Sequence, residues 1–355
     1  MNSYSPYSEL KIFHHIDRIK GLLNNERVAP IYIRIKPTNV CNQNCYYCGY
    51  ANDSLYKGRK VDRRESIPWE CMQRTISELA AMGVKAVTFS GGGEPLCYHS
   101  IDKTLDLVQK CGLDYSLITN GQALEGDILH YLINAKWVRV SFDSCNQQTY
   151  ETIRKVNAYN KVIHNIENFA KKKSNNCTLG INCVITHHNF REIFEICRLS
   201  KELGVNNIKL SPIMVKECEA DYHETIKNDV VQQIEDAKRC LDDDSFKIVD
   251  KYTNDLSINN NYCKQYHRCI IQELFTVIAA DCKVYRCHQK AYTKSGEIGD
   301  LTKKSFQDIW FSQETIEQIR KFDAYKECQF RCAFDERNML LNDFLYVDRN
   351  HINFI

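Results

Sequence analysis

The sequence predicts an α/β protein built on a parallel sheet, and three observations carry that prediction. Short apolar runs alternate with helical patterns between residues 30 and 215, and strands that alternate with helices pair in parallel through right-handed crossovers. Proline and glycine fall at helix starts and ends, as such units require. At 355 residues the chain exceeds what one hydrophobic core usually organises, about 250 to 300 residues, so a second, smaller unit is expected.

The first strand is Ile31-Tyr32-Ile33-Arg34-Ile35, whose alternation runs directly into a cysteine-bearing loop. A helix opens at Pro68-Trp69-Glu70 and stops at Ala81-Met82-Gly83; Lys85 to Phe89 then reads as a buried strand. The rhythm continues with helix Ile101 to Lys110, strand Tyr115 to Ile118, helix Asp127 to Asn134 and strand Trp137 to Phe142. One long helix is expected from Gln147 to about Lys172. Strands Leu179 to Ile185 and Asn207 to Leu210 flank a helix from Asn189 to Leu203 that ends at Gly204. Periodicity alone does not separate an open doubly wound sheet from a barrel.

Lys and Arg number 47 against 45 Asp and Glu, a formal charge of +2, so no global field draws the protein to nucleic acid or an anionic membrane. The N-terminal Met1 to Pro6 lacks the basic and apolar regions of a signal peptide, and no apolar run approaches about 18 residues. A cytoplasmic protein is expected. Its 18 cysteines then read as metal ligands and free thiols rather than disulfides, because cytosolic redox keeps thiols reduced.

Cys41, Cys45 and Cys48 share one short polar loop with C-x3-C-x2-C spacing. Three thiolates hold three irons of a four-iron cluster and leave the fourth open, whereas an electron-transfer cluster normally has four cysteines. Structural zinc wants four ligands, usually as two paired arms, so this triplet leaves zinc one short. Buried core thiols are the blander alternative.

Thr38-Asn39-x-Cys41-x3-Cys45-x-Tyr47-Cys48 resembles the radical S-adenosylmethionine (SAM) superfamily. The resemblance implies an incomplete (β/α)6 TIM-like barrel over 30–215, with a small C-terminal α+β auxiliary-cluster domain. It also implies a [4Fe-4S] cluster binding SAM at its open iron and cleaving it reductively to a 5′-deoxyadenosyl radical. Active sites of parallel barrels lie at the C-terminal strand ends, where the remaining motifs fall. Ser90-Gly91-Gly92-Gly93-Glu94-Pro95 resembles the family's Gly-Gly-Glu-Pro motif. That likeness assigns SAM amine contacts to Gly92, Gly93 and Glu94, with glycine letting backbone approach the ligand. Ser141, Asp143 and Arg154 resemble ribose- and carboxylate-contacting positions, and Tyr47 an adenine-side aromatic. Asn120 either points into the pocket or caps a turn.

A second cysteine set follows. Residues 261–340 contain Cys263, Cys269, Cys282, Cys287, Cys328 and Cys332, around a hairpin formed by Phe275 to Ala279 and Lys283 to Cys287. Together with Gly296 to Trp310, this stretch resembles SPASM and twitch domains, which implies an auxiliary [4Fe-4S] cluster on Cys269, Cys287, Cys328 and Cys332. Two departures stand out: Cys282 occupies the hairpin position usually held by glycine, and Cys263 is also nearby, so either is a substitute ligand. Four cysteines also suit zinc. Residues 1–29 are expected as a helical extension, with Glu9 to Leu23 an amphipathic helix on the barrel, and His14 and His15 as surface or packing residues. Residues 216–260 read as a helical connector whose acids, among them Glu217, Glu219, Asp221, Glu224 and Asp242 to Asp244, form a solvated face. Residues 341–355 are a tail.

For the reaction, resemblance to single-cluster twitch enzymes favours a dehydrogenase-type oxidoreductase acting on a small polyol, amino sugar or sugar nucleotide. Modification of a ribosomally made peptide, by crosslinking or epimerisation, is the alternative. About thirty residues precede the first strand, few for a leader-binding domain. Inversion needs a thiol hydrogen donor, for which Cys97, Cys145 and Cys183 are candidates. The non-enzymatic alternative is an iron-sulfur electron carrier. Radical chemistry also implies an external one-electron reductant such as flavodoxin or ferredoxin.

Overall fold

A computed structural model describes residues 8–51, 58–213, 219–256, 263–328 and 330–354. Glu217 lies outside these residues, as do the side chains of Glu219 and Asp221. The described chain forms one ten-stranded sheet: β1 (Tyr32–Ile35), β2 (Ala86–Phe89), β3 (Asp114–Thr119), β4 (Trp137–Ser141), β5 (Thr178–Ile185), β6 (Asn207–Pro212), β7 (Lys247–Asp250), β8 (Phe275–Ile278), β9 (Lys283–Tyr285) and β10 (Glu297–Asp300). Its order is β10-β9-β8-β1-β2-β3-β4-β5-β6-β7. β1 to β7 run parallel, each followed by helical crossovers, and β8 lies parallel to β1 on its other edge. The result is an α/β partial barrel.

One face of the sheet is apolar because the strand period of two places Ile33, Ile35, Val87, Phe89, Leu117 and Val138 on the same side. These residues share a core with Met72, Ile76 and Leu79 of the helix Trp69–Ala81 and Leu105 of the helix Ile101–Lys110. In register on the opposite face, Arg34, Thr88 and Ser116 form a polar row, with Thr88 Oγ1 and Ser116 Oγ 2.5 Å apart.

Five expectations change, the last of them in how the N-terminal segment packs. The 216–260 connector is not purely helical: Lys247–Asp250 pairs with β6 as a seventh parallel strand. Its acids also do more than face solvent, since Asp242 accepts from Ile248 N–H and Asp243 from Ser245 and Phe246 N–H, shaping the turn into β7. The long helix is two, Gln147–Arg154 and Tyr159–Lys172, interrupted where Lys155 adopts φ 57°. The N-terminal helix is likewise split into a 3₁₀ turn Glu9–His14 and a helix Ile16–Leu23.

That N-terminal segment packs mainly on the C-terminal unit rather than on the barrel core. Ile12, Ile19 and Leu22 join Leu274, Phe275, Tyr285 and Leu341 in a second hydrophobic cluster. Gly21 is required there, because a Cβ would sit 2.2 Å from Val28 Cγ1. His14 is exposed and His15 half-buried, as packing or surface residues. The C-terminal hairpin shares the barrel's sheet through the β1–β8 pairing, so the two cysteine sets are mounted on adjoining strands.

Candidate functional site

The cysteine loop follows β1 and is clamped on each side by its neighbours. Gly93 N–H donates to Thr38 O at 2.9 Å and Glu94 N–H to Val40 O at 2.8 Å, so the glycine-rich segment after β2 zips onto it. A Cβ on Gly93 would meet Val40 O at 2.1 Å, and one on Gly92 would meet Asn39 Oδ1 at 1.9 Å. The glycines therefore admit the cysteine loop itself, a closer constraint than the ligand approach expected of them. Across the loop, Asn44 N–H and Tyr46 N–H donate to the carbonyls of Arg154 and Ile153 at 3.2 and 3.1 Å. Those carbonyls are free because the helix ends at Lys155.

Cys41, Cys45 and Cys48 line one cavity of about 230 Å³ at the C-terminal ends of the strands. Tyr47, Gly92, Gly93, Glu94, Asn120, Ser141 and Arg154 line it too, so seven of the eight residues assigned from sequence to SAM converge there. Glu94 is buried; its Oε1 accepts from Thr119 Oγ1 and Leu96 N–H, and its Oε2 from Asn120 N–H at 2.7 Å. Burial raises its pKa despite these donors. Asn120 fills both roles weighed for it, accepting from Gln122 N–H in a turn and donating to Asn42 Oδ1.

Asp143 is the exception. It stands outside the cavity lining, almost fully buried, and accepts from Tyr47 Oη at 2.6 Å and Val184 N–H at 2.8 Å while pairing with Arg154 Nη2. Its place is behind Tyr47 and Arg154, holding both. Arg154, far from a solvated surface charge, is buried; its Nη1 donates to Cys45 Sγ at 3.5 Å, and its Nε has no hydrogen-bond partner. Burial pushes the Cys41 thiol up to about 12 and raises Cys45, which Arg154 opposes. Iron bound by these cysteines would displace those protons. None of Cys97, Cys145 and Cys183 lines the cavity; Cys145 donates to Glu192 and Cys183 is buried.

Around the second set, backbone N–H groups of Gln272, Lys290 and Phe334 hydrogen-bond to Cys269, Cys287 and Cys332 respectively. Asn338 Nδ2 reaches Cys269 Sγ at 3.4 Å, and Asp335 Oδ2 accepts from Cys332 N–H at 2.7 Å. Burial, with Cys287 beside it, pushes Cys269 up to about 11; burial, with Cys269 beside it, does the same to Cys328. Cys269, Cys287 and Cys328 thus feel one another's charge. Cys282 is not among them: at φ 60° on the hairpin turn it joins the barrel core and hydrogen-bonds Cys71. Cys263 is exposed. Among the described residues no three His, Cys, Asp or Glu side chains gather at the spacing of a single metal ion. A cuboidal cluster, whose irons each take one cysteine, spreads its ligands wider than an ion does.

Sequence reasoning missed Asn338, Asp335, Gln43, whose Nε2 donates to Tyr150 Oη, and Lys36 beneath the cysteine loop. The one signal for the first two was their position just after Cys332, three residues apart on a helix.

An open partial barrel with a three-cysteine loop after its first strand, joined to a cysteine-bearing hairpin unit, defines the class. Residues 35–199 match the model of the radical SAM superfamily and residues 269–333 the SPASM iron-sulfur cluster-binding domain. The chain belongs to the radical SAM superfamily and carries a C-terminal SPASM domain, which implies a [4Fe-4S] cluster with SAM and auxiliary iron-sulfur ligation rather than zinc. It is similar to the GTP 3′,8-cyclase of Clostridium perfringens, 30% identical over 190 residues, covering 51% of this chain and 56% of the cyclase. The chain thus spans about half the length of that relative. The PqqA peptide cyclase of Bradyrhizobium diazoefficiens is 22% identical over 319 residues, 86% of this chain and 80% of the cyclase. Among solved structures, Streptococcus suis SuiB bound to precursor peptide SuiA has a TM-score of 0.64 and 18% identity, covering 90% of this chain and 73% of SuiB. The AdoMet-bound structure of anSMEcpe has a TM-score of 0.61 and 16% identity, covering 89% of this chain and 96% of that one. These likenesses establish the fold. No helix among the described residues is long and apolar enough to cross a membrane.

Proposed function

We propose that the protein modifies a peptide by radical chemistry, forming a crosslink or changing a stereocentre. The observation that carries this reading is the PqqA peptide cyclase match, which spans both the barrel and the cysteine-rich hairpin unit. The fold shared with peptide-bound SuiB supports it. The GTP 3′,8-cyclase match covers half the chain, so peptide modification is preferred here to the dehydrogenation of a small polyol or amino sugar expected from sequence.

When bound, the SAM-ligated cluster supplies a carbon-centred radical that removes a substrate hydrogen, with the hard chemistry belonging to the cofactor. The chain's own residues position and exclude. Cys41, Cys45 and Cys48 present their sulfurs to the cavity, and Arg154 donates to Cys45 Sγ. The Nε of Arg154 is buried without a hydrogen-bond partner, a donor left for a ligand carboxylate, the contact for which its fork is suited. Glu94 Oε2 has spare acceptor capacity for an amine, Tyr47 lines the cavity wall, and Asp143 holds Tyr47 and Arg154 in place. Cys269, Cys287, Cys328 and Cys332 hold the auxiliary cluster, and a flavodoxin- or ferredoxin-type protein delivers the electron.

The test incubates reconstituted, reduced protein and SAM with short candidate peptides, and in parallel with polyols and sugar nucleotides. Peptide-dependent 5′-deoxyadenosine, with deuterium carried over from labelled peptide and a mass or stereochemical change in it, is expected. Deoxyadenosine release that responds to polyols or sugar nucleotides and ignores peptide refutes the reading.

A further inference from the structure

Lys36 is fully buried at the end of β1, beneath the cysteine loop. Its Nζ donates to Tyr50 Oη at 2.5 Å and Gly91 O at 3.0 Å, and lies 4.0 Å from the centre of the Tyr50 ring. Both acceptors belong to the cavity wall. A buried ammonium normally has an anionic partner, since desolvation disfavours the charged form strongly. No carboxylate among the described residues acts on Lys36. Its charged neighbours are instead the Arg59 and Arg34 guanidiniums, and the one acidic group drawing on it is the Cys48 thiol. Burial and the two guanidiniums push the lysine well below its usual range, which an adjacent anion counters.

We propose that Lys36 is the buried counter-charge of the cluster held by Cys41, Cys45 and Cys48, favouring its reduced form. Three thiolates around a four-iron core leave a net negative charge, and one-electron reduction adds another. A cation in a low-dielectric interior stabilises the more negative state, and cluster potentials follow net charge, hydrogen bonding and solvent exposure. Arg34 extends the same cationic wall: its Nη1 lies 3.2 Å from His288 Nδ1, and its Nε is buried without a partner. Lys36 stands behind Tyr50 and Gly91 rather than in the cavity lining and is a positioning residue for charge. The inference rests on the iron-sulfur reading of the cysteine loop.

The experiment is an EPR-monitored redox titration with dithionite on the reconstituted full chain, alongside iron and sulfide analysis. Lys36→Met is expected to lower the reduced-to-oxidised ratio of the SAM-binding cluster at least tenfold at fixed potential, a 59 mV downward shift for one electron. Lys36→Arg, which keeps the charge but not the hydrogen-bond geometry, is expected to restore most of it. An unchanged potential in Lys36→Met overturns the proposal, and so does an equal fall in Lys36→Arg, which makes geometry the cause. If Lys36→Met holds no cluster, a loaded Lys36→Arg supports the proposal and an empty one overturns it. Absence of iron from the unaltered protein strikes the cysteine-loop reading itself and is separately visible.

Discussion

The Asp143 carboxylate and the Arg154 guanidinium meet at 2.5 Å in a pair whose side chains are 1% and 5% exposed, and Arg154 passes that contact on to the Cys45 sulfur. A strand end and a helix end are thereby locked to the cysteine loop by one ion pair. Removing one partner of a buried pair strands the other charge and costs about 3 to 5 kcal/mol. Asp143→Asn is therefore expected to destabilise the protein by about that amount in urea unfolding. A double-mutant cycle with Arg154→Met should recover much of the loss, because no charge is then left unpaired; strictly additive losses would show that the pair is not coupled.

The two cysteine sets should be separable by composition. Replacing Cys41, Cys45 and Cys48 together with alanine is expected to leave about four irons per chain on the auxiliary set, that being the complement of one cubane. The variant should then make no 5′-deoxyadenosine. Replacing Cys269 and Cys287 should leave the other cluster and some uncoupled SAM cleavage, measured by iron analysis and product chromatography. Cys282→Ala should leave the iron content unchanged, since Cys282 faces Cys71 rather than the auxiliary set.

Gly93→Ala tests the join between the two loops. Its methyl would lie 2.1 Å from Val40 O, against rigid backbone, so the cysteine loop must move. A loss of cluster incorporation of tenfold or more is expected by absorbance and iron content. Gly112→Ala, at φ 69° with nothing within 4 Å, serves as the control. It should cost about 1 kcal/mol of stability and spare the cluster.

Cys71 offers a pH prediction. A hydrogen bond with the Cys282 thiol pulls Cys71 below its ordinary value, outweighing the rise from burial. The thiolate is thus favoured, and alkylation of Cys71 rises through a lower pH than for a free cysteine. In Cys282→Gly the hydrogen bond is gone and the midpoint moves up, so the rate near neutral pH falls. Peptide mass spectrometry of iodoacetamide-treated protein across pH measures this; an unmoved midpoint would sink the assignment. The same substitution removes a non-glycine residue from φ 60°, offsetting part of the lost packing.

Much of the barrel was legible because its strands and helices obey local periods. The helix Ile101–Lys110 falls where its apolar spacing puts it. The break at Lys155 was not legible, since neither glycine nor proline marks it; the left-handed lysine is tolerated because Asn44 and Tyr46 take up the carbonyls it frees. The strand Lys247–Asp250 was hidden for a related reason. Four residues carry too little periodicity in a polar stretch, and pairing with β6 makes them a strand.

Sequence by itself determined the family and pointed to the candidate cluster ligands, because a motif of three cysteines within eight residues is a local matter of spacing, and the glycine segment is equally local. Tertiary structure alone decided that Asp143 stands behind the cavity, that Arg154 is buried against Cys45, that Cys282 turns towards Cys71, and that Lys36 lies sealed beneath the loop. Each of these depends on which way a side chain leaves its strand or turn, and on what other elements bring to meet it. Burial and charge pairing are properties of the assembled sheet, and no spacing along the chain encodes them.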